Sequence, residues 1–151
     1  MATTPAENEI VLPALLRFAR GTFSHAIKRE LAAGGFDDLP RNAPFVLGGM
    51  ANQGGTAGDL IRQLGVTKQA ASQLVDEIVR KGYAERRPHP VDARARLVVL
   101  TERGWACTRA AEEAAAEAVR SWTDVLGESD VRALCDRLGR IAPHGPIRPT
   151  W

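Results

Sequence analysis

Lys68, Gln69, Ser72, Gln73 and Asp76 stand at spacings that a helix gathers on one side. Ala71, Leu74, Val75 and Ile78 fall between them at i, i+3, i+4 and i+7, an apolar stripe that needs a core to face. The polar set consists of short and medium donors and acceptors, types that meet base edges and phosphate oxygens. It begins at a helix N-terminus, where free N–H groups and the positive end of the dipole favour phosphate. The same residues also suit a solvated helix face, the commoner use of such types.

The elements before this helix favour the first use. Thr56 is placed to cap a helix whose third residue inward is Asp59, close to a capping box, with Leu60, Ile61 and Leu64 on its buried face. Gly65-Val66 makes a tight turn, and Thr67 caps the next helix, which runs to Lys81 with Gly82 at its end. Two short capped helices joined by a glycine-containing turn form a helix-turn-helix.

The charge agrees once it is sorted by position. The chain of 151 residues carries 20 Lys and Arg against 18 Asp and Glu, a net charge of only +2. Residues 62–103 hold nine basic residues, Arg62, Lys68, Arg80, Lys81, Arg86, Arg87, Arg94, Arg96 and Arg103, against five acidic ones, Asp76, Glu77, Glu85, Asp92 and Glu102. That segment therefore has a surplus of four and the remainder stands at −2. A positive field over this stretch suits contact with nucleic-acid phosphates, although a segment this short reaches such a surplus by chance fairly often.

Other chemistries find little support. His25, His89 and His144 are scattered, and neither C-x-x-C nor H-E-x-x-H spacing occurs. Gly48-Gly49 and Gly54-Gly55 read as helix-end or turn glycines rather than a phosphate-binding loop. The expectation is no enzyme, no cofactor and no metal. Aromatic residues make up 5%, too few for a stacking platform for single strands. Two cysteines, Cys107 and Cys135, are too few for a disulfide framework and read as inert packing. The first residues lack a basic stretch ahead of an apolar one, and no window approaches a membrane span. A cytoplasmic protein with reduced thiols is expected, with no membrane partner.

Long helices flank the helix-turn-helix. Leu12, Leu16, Ala19, Phe23, Ile27 and Leu31 recur at helical spacing over about 22 residues, or ~33 Å. Pro13 places the start of that helix near itself, Gly21 weakens its middle, and Gly34-Gly35 ends it. Residues 43–52 read as a short buried helix. Strand-like patterns at Tyr83–Pro88 and Ala95–Leu100 enclose the turn-rich tip Pro88-His89-Pro90-Val91-Asp92-Ala93. Thr101 caps a helix to about Leu126, Gly127 ends it, and Ser129 caps the last, with Val131, Leu134, Cys135, Leu138 and Ile141 on one face. The fold is mainly α with one β-hairpin.

At the hairpin the chain resembles the MarR family, whose wing signature is D-x-R-x-x-x-x-x-L-T-x-x-G. Asp92, Arg94, Leu100, Thr101 and Gly104 match its five fixed positions. Upstream, Leu60 to Ser72, LIRQLGVTKQAAS, resembles the same family's recognition segment, and the element order agrees from about residue 10 to 141. The resemblance implies one domain over 1–151, a winged helix-turn-helix flanked by long dimerisation helices. Residues 10–35 and 128–141 would be those helices, 43–100 the winged core, 101–126 a connecting helix and 142–151 a tail. Trp122 and Leu126 would join the dimer helices.

It also implies a regulator of transcription that binds a pseudo-palindromic operator in double-stranded DNA as a homodimer, with half-sites about one turn, ~10 bp, apart. The expected DNA contacts are Thr56, Thr67, Lys68, Gln69, Ser72, Gln73, Arg86 and Arg94, with Arg94 entering a minor groove and Asp92 stabilising the wing. A repressor released by a small aromatic or phenolic effector is implied, with Arg17, His25 and Phe45 as candidate ligand residues. The family's peroxide sensors carry a cysteine near the start of the first helix, and this chain has none there. Two alternatives stay open: a winged helix that docks a protein partner without binding DNA, and a thiol- or metal-responsive sensor of the same fold.

Overall fold

A computed structural model describes residues 7–40, 43–50, 54–92 and 94–141. Six helices and one hairpin follow in the order α1 (Glu7–Ala33), α2 (Ala43–Met50), α3 (Ala57–Leu64), α4 (Lys68–Arg80), β1 (Ala84–Pro88), β2 (Arg96–Leu100), α5 (Glu102–Leu126) and α6 (Glu128–Ile141). The strands are antiparallel, with Ala84 opposite Leu100 and Pro88 opposite Arg96. Gly55 adds a further rung: its N–H donates to the Val98 carbonyl at 2.9 Å and its carbonyl accepts from Val98 N at 2.8 Å. The mainly α architecture with one hairpin is the expected one. The tail, 142–151, lies outside the described residues.

The core joins α2, α4, the hairpin and the start of α5. Val46, Leu47, Met50, Ala71, Val75, Ile78, Tyr83, Val98 and Cys107 are buried in one cluster, which Leu31 of α1 enters. α1 and α4 close by the same device. Phe36 N–H reaches back to the Leu31 carbonyl at 2.8 Å around left-handed Gly35, and Tyr83 N–H reaches Ile78 at 2.9 Å around Gly82. Each closure turns an aromatic ring into or against the core, and Phe36 and Tyr83 face each other with centroids 6.2 Å apart.

Three local expectations are corrected. Pro13 lies inside α1, two turns after its start at Glu7. Pro13 is exposed, and a carbonyl that loses its donor to a proline can bond to water instead. Ser129 lies within the first turn of α6, which starts directly after Gly127, so it is not that helix's cap. Cys107 is buried but Cys135 is exposed, because among the described residues no element covers its side of α6. Gly21, by contrast, leaves α1 unbroken.

The first and last helices leave much apolar surface open. On α1, Ile10, Val11, Leu12, Leu15, Leu16 and Phe18 are all exposed, and no residue of α6 is buried. Farther along α1, Phe23 meets Trp122 of α5 edge-on with centroids 4.5 Å apart, tying the two long helices within one chain. Leu126 and Val125 remain exposed. Among the described residues no helix is long and apolar enough to cross a membrane.

Candidate nucleic-acid interface

Two caps set the helix-turn-helix. Thr56 Oγ1 accepts from Asp59 N at 3.2 Å, while Asp59 Oδ2 accepts from Thr56 N and from Thr56 Oγ1, each at 2.7 Å. These bonds from Thr56, first from its hydroxyl and then from its backbone, hold the Asp59 carboxyl below the usual range, and Arg62 beside it adds to the effect. Gly65 then takes the left-handed conformation, φ 63°, and donates to the Ile61 carbonyl at 2.9 Å. Two residues later Thr67 Oγ1 accepts from Ala70 N at 3.2 Å and starts α4.

α4 is thereby held with Ala71, Val75 and Ile78 buried and Leu74 half-buried. Lys68, Gln69, Ser72, Gln73 and Asp76 are exposed, as is Thr67. Thr56 is half-buried, with its hydroxyl engaged by Asp59. The structure thus presents one continuous polar face beginning at a capped N-terminus, with Thr56 at the start of the neighbouring helix.

The wing stands beside that face. Arg86 of β1 pairs with Asp76 of α4, so the hairpin and the exposed helix share an ion pair. At the tip Asp92 Oδ1 accepts from Arg94 N at 2.9 Å, and the Arg94 side chain is exposed. Arg62, Lys81, Arg86, Arg87 and Arg103 each have an acidic partner. Among the described residues none pairs with Lys68, Arg80, Arg94 or Arg96. Those four cations are open to the phosphates of a polyanion.

A polar cluster that periodicity could not reveal locks the wing's root to the loop after α1. Tyr83, buried, donates through its hydroxyl to Asp38 Oδ1. Arg103 of α5 reaches Asp38 Oδ1 and the Tyr83 hydroxyl, each at 3.1 Å, with its guanidinium 4.5 Å from the centre of the Tyr83 ring. Lys81 donates to the Asp38 backbone carbonyl. The hydrogen bond from Tyr83 is the main cause holding the Asp38 carboxyl low, with Arg103 and Lys81 assisting. Burial pushes the Tyr83 phenol up to about 12, helped by Asp38. The available sequence signal was Arg103 inside the Leu100-Thr101-Glu102-Arg103-Gly104 run, and nothing pointed from it to Asp38.

Two of the three candidate ligand residues share one hollow. Arg17 and His25, both exposed, line one open hollow of about 660 Å³ along α1 with Phe18, Gly21, Thr22, Ala26 and Arg29. The Phe45 side chain lies outside the described residues. Among the described residues no group of His, Cys, Asp and Glu is placed to hold a metal ion.

Residues 37–95 match the model of the MarR family. No curated protein matches the chain. Among solved structures, a mutant MarR from E. coli complexed with operator DNA is 25% identical, with a TM-score of 0.72 over 93% of this chain and 100% of that one. AbsC, a MarR family transcriptional regulator from Streptomyces coelicolor, is 20% identical with a TM-score of 0.72 over 95% and 97% of the two chains. A MarR family regulator from Rhodococcus sp. RHA1 is 22% identical, with a TM-score of 0.69 over 93% and 98%.

Proposed function

We propose that the chain, which matches the MarR family model over residues 37–95 and shares the fold of MarR family structures over nearly its whole length, is a regulator of that family that binds double-stranded DNA in a sequence-specific way. One observation carries the reading: the exposed face of α4 and the exposed Arg94 of the wing lie on elements joined by the Arg86–Asp76 pair. In this reading Lys68, Gln69, Ser72 and Gln73 meet base edges and phosphates in a major groove. Thr56 and Thr67 lie at helix N-termini suited to phosphate, and Arg94 enters the adjacent minor groove. Arg86 would exchange part of its bond to Asp76 for a phosphate. The related E. coli structure, solved with operator DNA, supports the reading by analogy.

The acting unit is a homodimer in the cytoplasm, and the exposed apolar residues of α1 and the uncovered α6 supply the surface for it. Two recognition helices would then address the halves of a pseudo-palindromic operator. The protein acts as a repressor rather than an enzyme, and a small aromatic or phenolic acid relieves its binding. Arg17 offers charge and His25 a hydrogen bond to such an anion, with Phe45 as a candidate apolar contact.

Selection from a random duplex pool, followed by a salt titration on the winning sequence, tests the proposal. Affinity should fall steeply with salt, and Arg94→Ala should weaken binding by about 1–3 kcal/mol while lowering the salt slope by about one. Millimolar or weaker affinity for every duplex at low salt would reject DNA binding and leave a protein-docking winged helix.

A further inference from the structure

Between the end of β1 at Pro88 and the start of β2 at Arg96 the chain must reverse without ladder bonds. Pro88 and Pro90 have no N–H to help it do so. The tip is held by two residues. His89 Nδ1 accepts from Val91 N at 3.3 Å and from Asp92 N at 3.1 Å. Asp92 in turn accepts from Arg94 N at 2.9 Å through Oδ1, and from Ala95 N at 3.0 Å through its backbone carbonyl. The four donor groups of Val91, Asp92, Arg94 and Ala95 thus end on His89 and Asp92, with Asp92 itself held by His89.

We propose that His89 is a positioning residue for Arg94, its unprotonated Nδ1 setting the wing tip from which Arg94 reaches duplex DNA. An imidazole nitrogen that accepts two N–H groups carries no proton, so in the neutral ring the proton resides on Nε2. His89 acts on DNA through the relay His89 to Asp92 to Arg94. The role rests on the DNA-binding reading above, but the state of the imidazole does not.

The relay makes a discriminating set of variants. His89→Asn keeps a side-chain oxygen at about the reach of Nδ1, able to accept the same two backbone donors as Asn does in Asx-turns. His89→Ala keeps no acceptor. Affinity for the selected duplex should fall about 5–10-fold in His89→Ala, the effect of one or two hydrogen bonds, and stay within about twofold in His89→Asn. In an Arg94→Ala background, His89→Ala should cost less than about twofold further, because the residue it positions is gone.

Nitrogen NMR of the free protein's imidazoles tests the acceptor without DNA, and in the neutral ring should show His89 Nδ1 unprotonated and Nε2 protonated. A proton on Nδ1 overturns the proposal whatever the DNA result. So does a His89→Asn loss equal to that of His89→Ala, or a full loss repeated in the Arg94→Ala background. If the wild-type protein binds no duplex, the DNA reading fails and with it Arg94's role, while the NMR spectrum still decides whether His89 organises the tip.

Discussion

A Cβ added to Gly104 would stand 2.0 Å from the backbone carbonyl oxygen of Tyr83. The first turn of α5 therefore lies directly on the residue that opens the wing. Thr101 reinforces the contact, donating from its N–H to that same carbonyl at 3.1 Å and from its hydroxyl to Gly82 O at 2.6 Å. Any side chain at Gly104 must push α5 and the hairpin apart. Gly104→Ala should destabilise the fold by about 2–4 kcal/mol in urea denaturation, a severe case of overpacking. Gly139 on α6 has nothing within 4 Å of its added Cβ, so Gly139→Ala should be neutral or stabilising by up to about 1 kcal/mol.

The reciprocal cap at the start of α3 should have an acid signature. The folded state holds the Asp59 carboxyl low, chiefly by the Thr56 bonds. Its contribution is present above the ordinary carboxylate value of about 3.9 and is lost as pH falls through and below it. Urea midpoints between about pH 2 and 5 should fall more steeply for wild type than for Asp59→Asn. Thr56→Ala should cost about 1 kcal/mol at neutral pH, as an N-cap loss does.

At the other end of the scale, Tyr83 should show itself in alkali. Its phenol is raised to about 12, first by burial and then by its hydrogen bond to Asp38. A raised value in the folded state means the stabilisation is whole below the ordinary phenol range near 10 and is lost as pH rises through about 12. Thermal melts should decline across that window in wild type. Tyr83→Phe should be less stable at neutral pH and should lack this component of the decline.

Cys107 should be chemically silent in the folded protein. It is 1% exposed, and burial pushes its thiol up to about 11. At pH 8 a thiol reagent should leave it unmodified until denaturant is added, as mass spectrometry of the labelled peptides can read. Prompt labelling at Cys107 under native conditions would contradict the packing role.

Opening the helix ends should expose their purpose. Leu12 is 52% exposed and Leu16 40% on α1, too much contiguous apolar surface for a helix with no partner. Light scattering should give a dimer for wild type, and Leu12→Glu with Leu16→Glu should give monomer with weakened duplex binding. A wild-type monomer at tens of micromolar would refute the arrangement.

Much of this molecule was legible in the amino-acid sequence because its decisive signals are short-range. The caps at Thr56, Thr67 and Thr101 are satisfied within three residues, and the glycine closures at Gly35 and Gly82 within five. Such bonds depend only on residue type and spacing, so the helix-turn-helix, the hairpin and the polar face of α4 could be placed from letters alone. Tertiary structure decided what distance along the chain conceals. Asp38 meets Tyr83 across 45 positions and Arg103 across 65, Arg86 takes Asp76 as its partner, and Gly55 joins the hairpin edge at Val98. No periodicity links those pairs, because they are chosen by how finished elements pack and not by how each one forms. The exposure of Cys135 and the start of α1 before Pro13 belong with them: whether a helix face meets protein or water is settled only when its neighbours are in place.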